Sequence, residues 1–140
     1  MIVDQVMTLN PKCLPGSAKS AEADELMRSM NFRHIPVISE TGVLIGMLSS
    51  RDLQRHEMRP EIRQEFPKMS QALDDMPISK MMHQGIICVP TGTEIVEVID
   101  IMVSKKIGAI PVVDPITDRL VGIISYIDVL KAARDKLASN

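Results

Sequence analysis

The sequence has almost no aromatic residues and no strong excess of either charge. Among its 140 residues there is no tryptophan, one tyrosine and two phenylalanines, and the formal net charge is −2. A nucleic-acid-binding protein needs a basic surface for the phosphates or aromatic side chains on which bases stack. We therefore expect no nucleic-acid partner, and a core built from aliphatic residues and the eleven methionines.

Long apolar runs are also missing. No stretch approaches the roughly 20 residues that span a bilayer, and the opening residues 1–5 lack the basic region and apolar run of a signal peptide. We expect a cytoplasmic protein with no membrane partner. The only cysteines, Cys13 and Cys88, stand in short apolar runs, which favours buried thiols in a reducing compartment over a disulfide between them.

The chain contains an internal repeat with a period of about 75 residues. Shifting the sequence by 75 aligns Met7 with Met82, Cys13 with Cys88, and Ile35-Pro36-Val37 with Ile110-Pro111-Val112. After one added residue in the second copy, Leu44, Gly46, Ser49 and Asp52 align with Leu120, Gly122, Ser125 and Asp128. Such self-similarity indicates one supersecondary unit built twice, each copy covering the apolar face of the other. We predict a first repeat at residues 1–58, a linker at 59–75 and a second repeat at 76–140.

Hydrophobic periodicity predicts one long helix in each repeat. Apolar residues recur at three- and four-residue spacing between Ser20 and Met30, and again between Ile95 and Met102. Thr91 with Glu94 three residues later has the spacing of a capping box, which predicts that the second helix starts there. Each helix is followed by two apolar runs separated by turn residues, which predicts a hairpin.

A proline lies inside the first apolar run of each hairpin, at Pro36 and Pro111. Because proline has no N–H to donate to a sheet, these positions predict a strand start or an edge strand. Each repeat then has the order strand, helix, strand, strand, helix, and the fold class is α/β (α+β). Pro60, Pro67 and Pro77 divide the polar segment between the repeats into short pieces, which predicts a solvated helical linker.

Both hairpins end in the same motif, Gly-x-x-Ser-x-x-Asp. It runs from Gly46 to Asp52 in the first repeat and from Gly122 to Asp128 in the second. One interpretation is a helix cap, because serine is a strong N-cap and an aspartate in the first turn suits the helix dipole. The other is a nucleotide site, in which the carboxylate accepts from ribose hydroxyls while N–H and hydroxyl groups face phosphate.

This ordered set of motifs, present twice, resembles a tandem pair of CBS domains, the regulatory modules named after cystathionine β-synthase. The opening Met-Ile-Val-Asp-Gln-Val-Met is similar to that of stand-alone CBS proteins of the acetoin-utilisation type. The resemblance implies two β-α-β-β-α repeats related by a pseudo-twofold axis, with two ligand clefts. It also implies a homodimer and, as the ligand, an adenine nucleotide such as AMP, ADP or ATP, or S-adenosylmethionine.

The resemblance further implies two sets of ligand-binding residues. One cleft would combine Ser125 and Asp128 with Thr8, Lys12, Arg33 and His34. The other would combine Ser49, Arg51 and Asp52 with His83, Gly108 and Ala109. We expect the first cleft to bind better, since Lys12 and Arg33 offer cations for phosphate, whereas Gly108 and Ala109 offer none.

The sequence favours a regulatory binding module over an enzyme. No pair of histidines or cysteines has zinc-ligand spacing, so we expect no metal, and we expect no covalently bound cofactor. We find neither a nucleophile elbow nor paired carboxylates suited to acid–base catalysis. Any signal would pass to an effector protein. The alternative is a dimerisation or scaffold domain without a physiological nucleotide, in which both Ser/Asp motifs serve as helix caps.

Overall fold

A computed structural model describes residues 1–139 as two compact units. Unit 1 consists of Met1–Pro11, Gly42–Leu44 and the chain from Ile87 onward. Unit 2 consists of Lys12–Thr41 and Ile45–Ile86. The units therefore do not follow the repeat boundaries, because the segment that opens each repeat belongs to the unit that holds most of the other repeat. Asn140, the last residue of the predicted second repeat, lies outside the described residues.

Unit 2 contains most of the first repeat. Its elements are β2 (Leu14–Pro15), α1 (Ser20–Met30), β3 (His34–Ile38), β4 (Leu44–Ser49), α2 (Ser50–Gln54), α3 (Pro60–Glu65) and α4 (Pro67–Asp74), followed by a 3₁₀ turn at Ile78–Lys80. The strands form a sheet in the order β2-β3-β4, in which β2 runs parallel to β3 and pairs Leu14 with Val37. The predicted strand, helix, strand, strand, helix order is confirmed here.

Unit 1 contains most of the second repeat and has the same order of elements. After a 3₁₀ turn at Val3–Gln5, they are β1 (Thr8–Leu9), β5 (Val89–Pro90), α5 (Ile95–Lys105), β6 (Ala109–Val113), β7 (Leu120–Ser125) and α6 (Tyr126–Ala138). The sheet order is β1-β7-β6-β5, with β1 antiparallel to β7 and β5 parallel to β6. The mixed α/β class is thus confirmed for both repeats.

The two long helices follow the predicted periodicity, and both end at a residue in the left-handed conformation. These residues are Asn31 and Lys106, with φ of 54° and 55°. The predicted capping box of Thr91 and Glu94 is wrong, because α5 begins at Ile95 with Glu94 itself as a cap that makes no side-chain hydrogen bond. The chain at this point is still in a turn, where the Thr93 hydroxyl donates to the carbonyl of Pro90 at 2.7 Å.

The prediction for Pro36 and Pro111 is also wrong. Each is the third residue of its strand, and that strand is central in its sheet. The neighbouring parallel strands are only two residues long, and β5 pairs with Val112 and Val113, beyond the proline. At the proline itself the strand has a ladder partner on one side alone, so the missing N–H breaks no ladder there.

Each unit has its own aliphatic core, and each core includes a residue from the segment that opens the other repeat. Val3 lies with seven buried residues of the second repeat, and Ile78 lies with buried residues of the first. Both side chains are fully buried. Burying a side chain of this size contributes about 1.5–3 kcal/mol. The exchanged opening segments are therefore part of the hydrophobic cores.

The predicted linker contains two short helices that begin at prolines. Pro60 and Pro67 are the first residues of α3 and α4, where the absent N–H has no helical acceptor to lose. One Arg63 nitrogen, Nη1, donates to Ser70 Oγ at 2.7 Å and to Asp74 Oδ1 at 3.1 Å, which joins the two helices. No helix within residues 1–139 is long and apolar enough to cross a membrane.

Candidate functional site

Two glycines allow the opening segments to lie directly against the hairpins. A Cβ on Gly46 would lie 2.9 Å from the carbonyl oxygen of His83, and one on Gly122 would lie 2.8 Å from that of Thr8. The backbone of His83 pairs with Met47 through hydrogen bonds of 2.9 and 3.1 Å. Thr8 occupies the corresponding place opposite Ile123. The glycine of each motif thus brings an opening segment to the strand that leads to the motif's serine and aspartate.

The Ser/Asp pairs form complete capping boxes at both strand-to-helix junctions. The Asp52 N–H donates to Ser49 Oγ at 3.2 Å, and the Ser49 N–H donates to Asp52 Oδ2 at 2.7 Å. The second junction repeats these bonds, at 3.2 Å from the Asp128 N–H and 2.9 Å from the Ser125 N–H. The helix-cap interpretation of the motif is confirmed. In both aspartates, Oδ2 is the carboxylate oxygen that accepts the hydrogen bond of the capping box.

Asp52 is fully enclosed, with only 1% of its surface exposed. Nε2 of His83 lies 2.8 Å from Asp52 Oδ1, and a guanidinium nitrogen of Arg55 lies 3.7 Å from the same oxygen. The histidine contact has the distance of an ion pair but lacks hydrogen-bond geometry. Oδ1 is accordingly the one buried side-chain polar atom in residues 1–139 that has no hydrogen-bond partner.

Asp128 is only half-buried. The Ser125 hydroxyl also donates to its Oδ2, at 3.0 Å, so every hydrogen bond that this carboxylate accepts from residues 1–139 ends on Oδ2. The helix that follows has 13 residues, whereas α2 after Ser49 has five. Because aligned peptide units add to the macrodipole, the second junction has the larger helix dipole.

Arg33 and His34 lie next to the first junction within unit 2. The Ser50 N–H donates to the Arg33 carbonyl at 2.9 Å. Loss of hydration at the start of β3 lowers the pKa of His34, although the residue is exposed; the Asp52 carboxylate raises this pKa and the Arg33 cation lowers it further. His34 is therefore mainly neutral at pH 7.

Gly108 and Ala109 lie next to the second junction within unit 1. The Tyr126 N–H donates to the Gly108 carbonyl at 2.9 Å, and Ala109 pairs with Ser125. A Cβ on Gly108 would come within 3.1 Å of the Tyr126 ring. The tyrosine ring thus lies over the glycine.

The structure groups the predicted residues by unit. Unit 1 holds Thr8, Gly108, Ala109, Ser125 and Asp128, and unit 2 holds Lys12, Arg33, His34, Ser49, Arg51, Asp52 and His83. Within unit 2, Asp52 and His83 are in direct contact. Each predicted set draws on both units, and that grouping stays a prediction. Sequence reasoning missed Arg55, although its position three residues after Asp52 on a predicted helix is the spacing of an ion pair.

A groove of about 630 Å³ in unit 2 lies between α1, α2 and the linker helices, and Arg33 and Ser50 are among the residues that line it. Its charged side chains other than Arg33 are paired with one another. Arg28 lies 3.1 Å from Asp24 and 3.9 Å from Glu57, and Arg63 lies 3.1 Å from Asp74. These pairs leave the groove without a strong preference for an anionic or a cationic ligand.

Residues 1–139 contain no cluster of three or more histidine, cysteine, aspartate or glutamate side chains that could hold a metal ion. Both cysteines are free thiols, but the prediction that they are buried is wrong, because Cys13 is half-buried and Cys88 is exposed. Burial raises the pKa of Cys13 and of Cys88, and the nearby Asp118 carboxylate raises that of Cys88 further. Both thiols are therefore protonated at pH 7, which makes them weak nucleophiles.

Comparison with known proteins connects this arrangement to characterised folds. The chain is 28% identical to a Vibrio cholerae protein, AcuB, whose assignment to acetoin utilization is itself an inference; the TM-score is 0.82, with 99% of this chain and 93% of that chain covered. It is 24% identical to CBSX2, which was crystallised in complex with AMP; here the TM-score is 0.80, with 96% of each chain covered.

A curated enzyme also matches, over part of its length. Inosine-5'-monophosphate dehydrogenase from Methanocaldococcus jannaschii is 25% identical over 142 aligned positions, which cover 97% of this chain and 24% of the enzyme. The chain thus spans about a quarter of that relative. The CBS domain family itself matches residues 3–59 and 78–135, one match in each repeat. With both matches and both β-α-β-β-α repeats in place, this chain belongs to the CBS domain family and carries a tandem pair of these domains.

Proposed function

We propose that this protein is a regulatory module that binds an adenosyl ligand, either an adenine nucleotide (AMP, ADP or ATP) or S-adenosylmethionine. The ligand's ribose hydroxyls would donate to the carboxylate of Asp128. Binding would change the shape or the association of the protein. The module would have no catalytic activity of its own, and it would act in the cytoplasm.

The observation that carries the proposal is the state of the Asp128 carboxylate. Its Oδ2 is held by the Ser125 N–H and hydroxyl, which fixes the orientation of the group. Its Oδ1 accepts no hydrogen bond from residues 1–139, and the side chain is only half-buried. A fixed carboxylate with one available oxygen is suited to accept from the paired hydroxyls of a ribose, and bonds to a charged acceptor are about twice as strong as neutral ones.

Further residues would supply contacts to the rest of the ligand. Thr8, beside β7 in the same unit as Asp128, would offer a hydroxyl. Lys12 and Arg33 would neutralise phosphate charge, the arginine through its planar fork. His34, mainly neutral, would serve as a hydrogen-bonding group, not as a cation.

A second, weaker site would use the junction at Asp52. It would combine Ser49, Arg51 and Asp52 with His83, Gly108 and Ala109. The short helix α2 and the enclosed Asp52 side chain both favour a lower affinity there than at Asp128.

The relatives support the ligand class. CBSX2, which shares this fold, was crystallised with AMP. A ligand shifts a protein between two states only by as much as its affinities for them differ. We propose that the shifted equilibrium involves a homodimer and an effector protein that receives the signal.

Isothermal titration of the purified protein with AMP and with S-adenosylmethionine tests the proposal. One of them should bind the wild type, and Asp128→Ala and Asp128→Asn should both weaken that binding, the asparagine keeping the shape of the side chain. Asp135→Ala is the matched control, since Asp135 is an exposed aspartate of the same helix. Equal binding by all four proteins would contradict the role of Asp128, and no binding by the wild type would contradict the function.

The capping boxes favour a second candidate function, a scaffold domain without a physiological nucleotide. In that case both Ser/Asp pairs would serve helix stability alone. Asp52→Ala and Asp128→Ala would then each lower the free energy of unfolding by about 1 kcal/mol. Neither adenosyl ligand would bind, and the association state would be the same with and without them.

A further inference from the structure

The two junctions differ at one position on the opening segments. His83 lies beside β4 and Thr8 lies beside β7, at matching places in the two repeats. The imidazole of His83 reaches the free oxygen of Asp52, with Nε2 2.8 Å from Oδ1. Thr8 is short and exposed, and Asp128 makes no ion pair with residues 1–139. The same carboxylate oxygen is therefore occupied at one junction and available at the other.

His83 is held by its backbone, while its side chain remains largely open to solvent. Two hydrogen bonds to Met47 fix the backbone, and Gly46 lies directly against its carbonyl. The imidazole is 58% exposed, whereas the carboxylate beneath it is 1% exposed. Rotation of one side chain, with no movement of the backbone, would uncover Asp52 Oδ1. Such rotations take picoseconds to nanoseconds at exposed residues.

The imidazole of His83 lies where a ribose bound to Asp52 Oδ1 would have to lie. A carboxylate oxygen in this position would accept from ribose hydroxyls only after the imidazole leaves. The ligand would also have to replace the contact of a buried charge, since an unpartnered buried carboxylate is costly. Arg55, 3.7 Å away, would compensate in part.

We propose that His83 is a specificity-determining plug that closes the Asp52 junction to adenosyl ligands and directs them to Asp128. This inference rests on the proposed function, which names the ligand class. It changes one part of that function: the Asp52 junction, proposed above as a weaker site with His83 as a contact, becomes a site that His83 itself blocks. The blocked site would open when a ligand or partner draws the imidazole away.

Reciprocal substitutions test the plug, with AMP as the probe and the number of sites per chain as the readout. The wild type should bind one AMP per chain. His83→Thr, which copies Thr8, should bind two. Thr8→His should weaken the Asp128 site by about ten- to a hundredfold, the worth of a hydrogen bond to a charged group. Thermal unfolding of each variant checks that it is folded, and His83→Ala provides a second way to open the junction.

The outcomes separate the plug from the proposed function. One AMP bound by the wild type, with the number unchanged in both His83→Thr and His83→Ala, would overturn the plug and leave the function standing. Two equal sites in the wild type would do the same. No AMP bound by any of the four proteins would overturn the plug, and it would overturn the function as well if S-adenosylmethionine also failed to bind the wild type. Binding by the His83 variants alone would support the plug and move the working site from Asp128 to Asp52.

Discussion

The junction at Asp52 and the junction at Asp128 have the same capping box but different surroundings. In both, the serine hydroxyl caps the helix and the carboxylate Oδ2 accepts from the serine N–H. Asp52 is then enclosed beneath His83 and near Arg55, whereas Asp128 is half-buried and keeps Oδ1 free. The helix that follows is five residues long in the first case and 13 in the second.

This difference shows that a repeated motif does not give two equal sites. The motif itself determines the cap, because the serine and aspartate contact each other three residues apart. We propose that the availability of the carboxylate depends on the residue at the matching position of the opening segment, histidine or threonine. That residue is distant in sequence from the motif, at His83 for Asp52 and at Thr8 for Asp128.

The largest expected effects test whether the two cores are as alike as their sequences. Leu48 and Ile124 are equivalent, fully buried residues of the hairpins. Replacing either with alanine should lower the free energy of unfolding by about 2–5 kcal/mol through lost burial and the cavity left behind. Urea unfolding measures both, with exposed Val96→Ala as the control. A cost below 1 kcal/mol in only one repeat would contradict the equivalence of the cores.

Substitutions of the two motif glycines should have the next largest effect on the free energy of unfolding. Gly46→Ala and Gly122→Ala would each place a Cβ under 3 Å from a backbone carbonyl, which cannot move aside as a flexible side chain could. We expect each to destabilise the protein by about 1–3 kcal/mol in urea unfolding. Gly16→Ala is the matched control, since its nearest neighbours are side-chain atoms at 3.3 and 3.4 Å. Equal stability of all three variants would contradict the close approach of the opening segments.

His83 and Thr8, at matching positions of the two opening segments, should differ in their contribution to stability. His83→Ala leaves Oδ1 of the enclosed Asp52 without its nearest partner and should cost about 1 kcal/mol. Thr8→Ala removes an exposed side chain and should stay within about 0.5 kcal/mol of the wild type. Chemical denaturation at neutral pH compares them. Equal costs would remove the electrostatic difference between the junctions.

The smallest effect concerns the hairpin turns, where Asp114 corresponds to Ser39. The N–H groups of Thr117 and Ile116 donate to the Asp114 carboxylate and hold its pKa below the ordinary value of 3.8. Because the folded-state pKa is the lower one, this stabilisation is full above pH 3.8 and is lost as pH falls through the folded-state pKa. Asp114→Ser should flatten the acid limb of the stability curve slightly. An unchanged pH dependence between pH 5 and 2 would contradict the role of Asp114.

Much of the fold was predictable because the repeat supplied two copies of the sequence pattern of each element. The α1 helix was predicted at Ser20–Met30 and is observed there. The start of α5 was wrong because the Thr91/Glu94 spacing is a local pattern, and the turn at Thr93 took precedence over it. The prolines were wrongly predicted at strand starts or edge strands. A central strand can hold a proline where the neighbouring strand is too short to pair with it, and the residues near Pro36 do not reveal the length of that neighbouring strand.

The candidate site was predictable at the level of the motif and not at the level of its environment. The helix cap was one of two interpretations of the repeated motif, and the grouping of Thr8 with Asp128 and of His83 with Asp52 was implied by the resemblance. The direct contact between His83 and Asp52 was not predicted, since it joins residues that are far apart in sequence through a short backbone pairing at Met47. Exposure of each carboxylate is likewise a property of the packed unit.

A crystal structure of the protein grown with AMP tests the central claim most directly. The account predicts AMP at the second junction, with its ribose hydroxyls within hydrogen-bond distance of Asp128 Oδ1. It also predicts that Nε2 of His83 remains beside Asp52 Oδ1. A ribose bound to Asp52 with Asp128 unoccupied, or AMP bound away from both carboxylates, would contradict it.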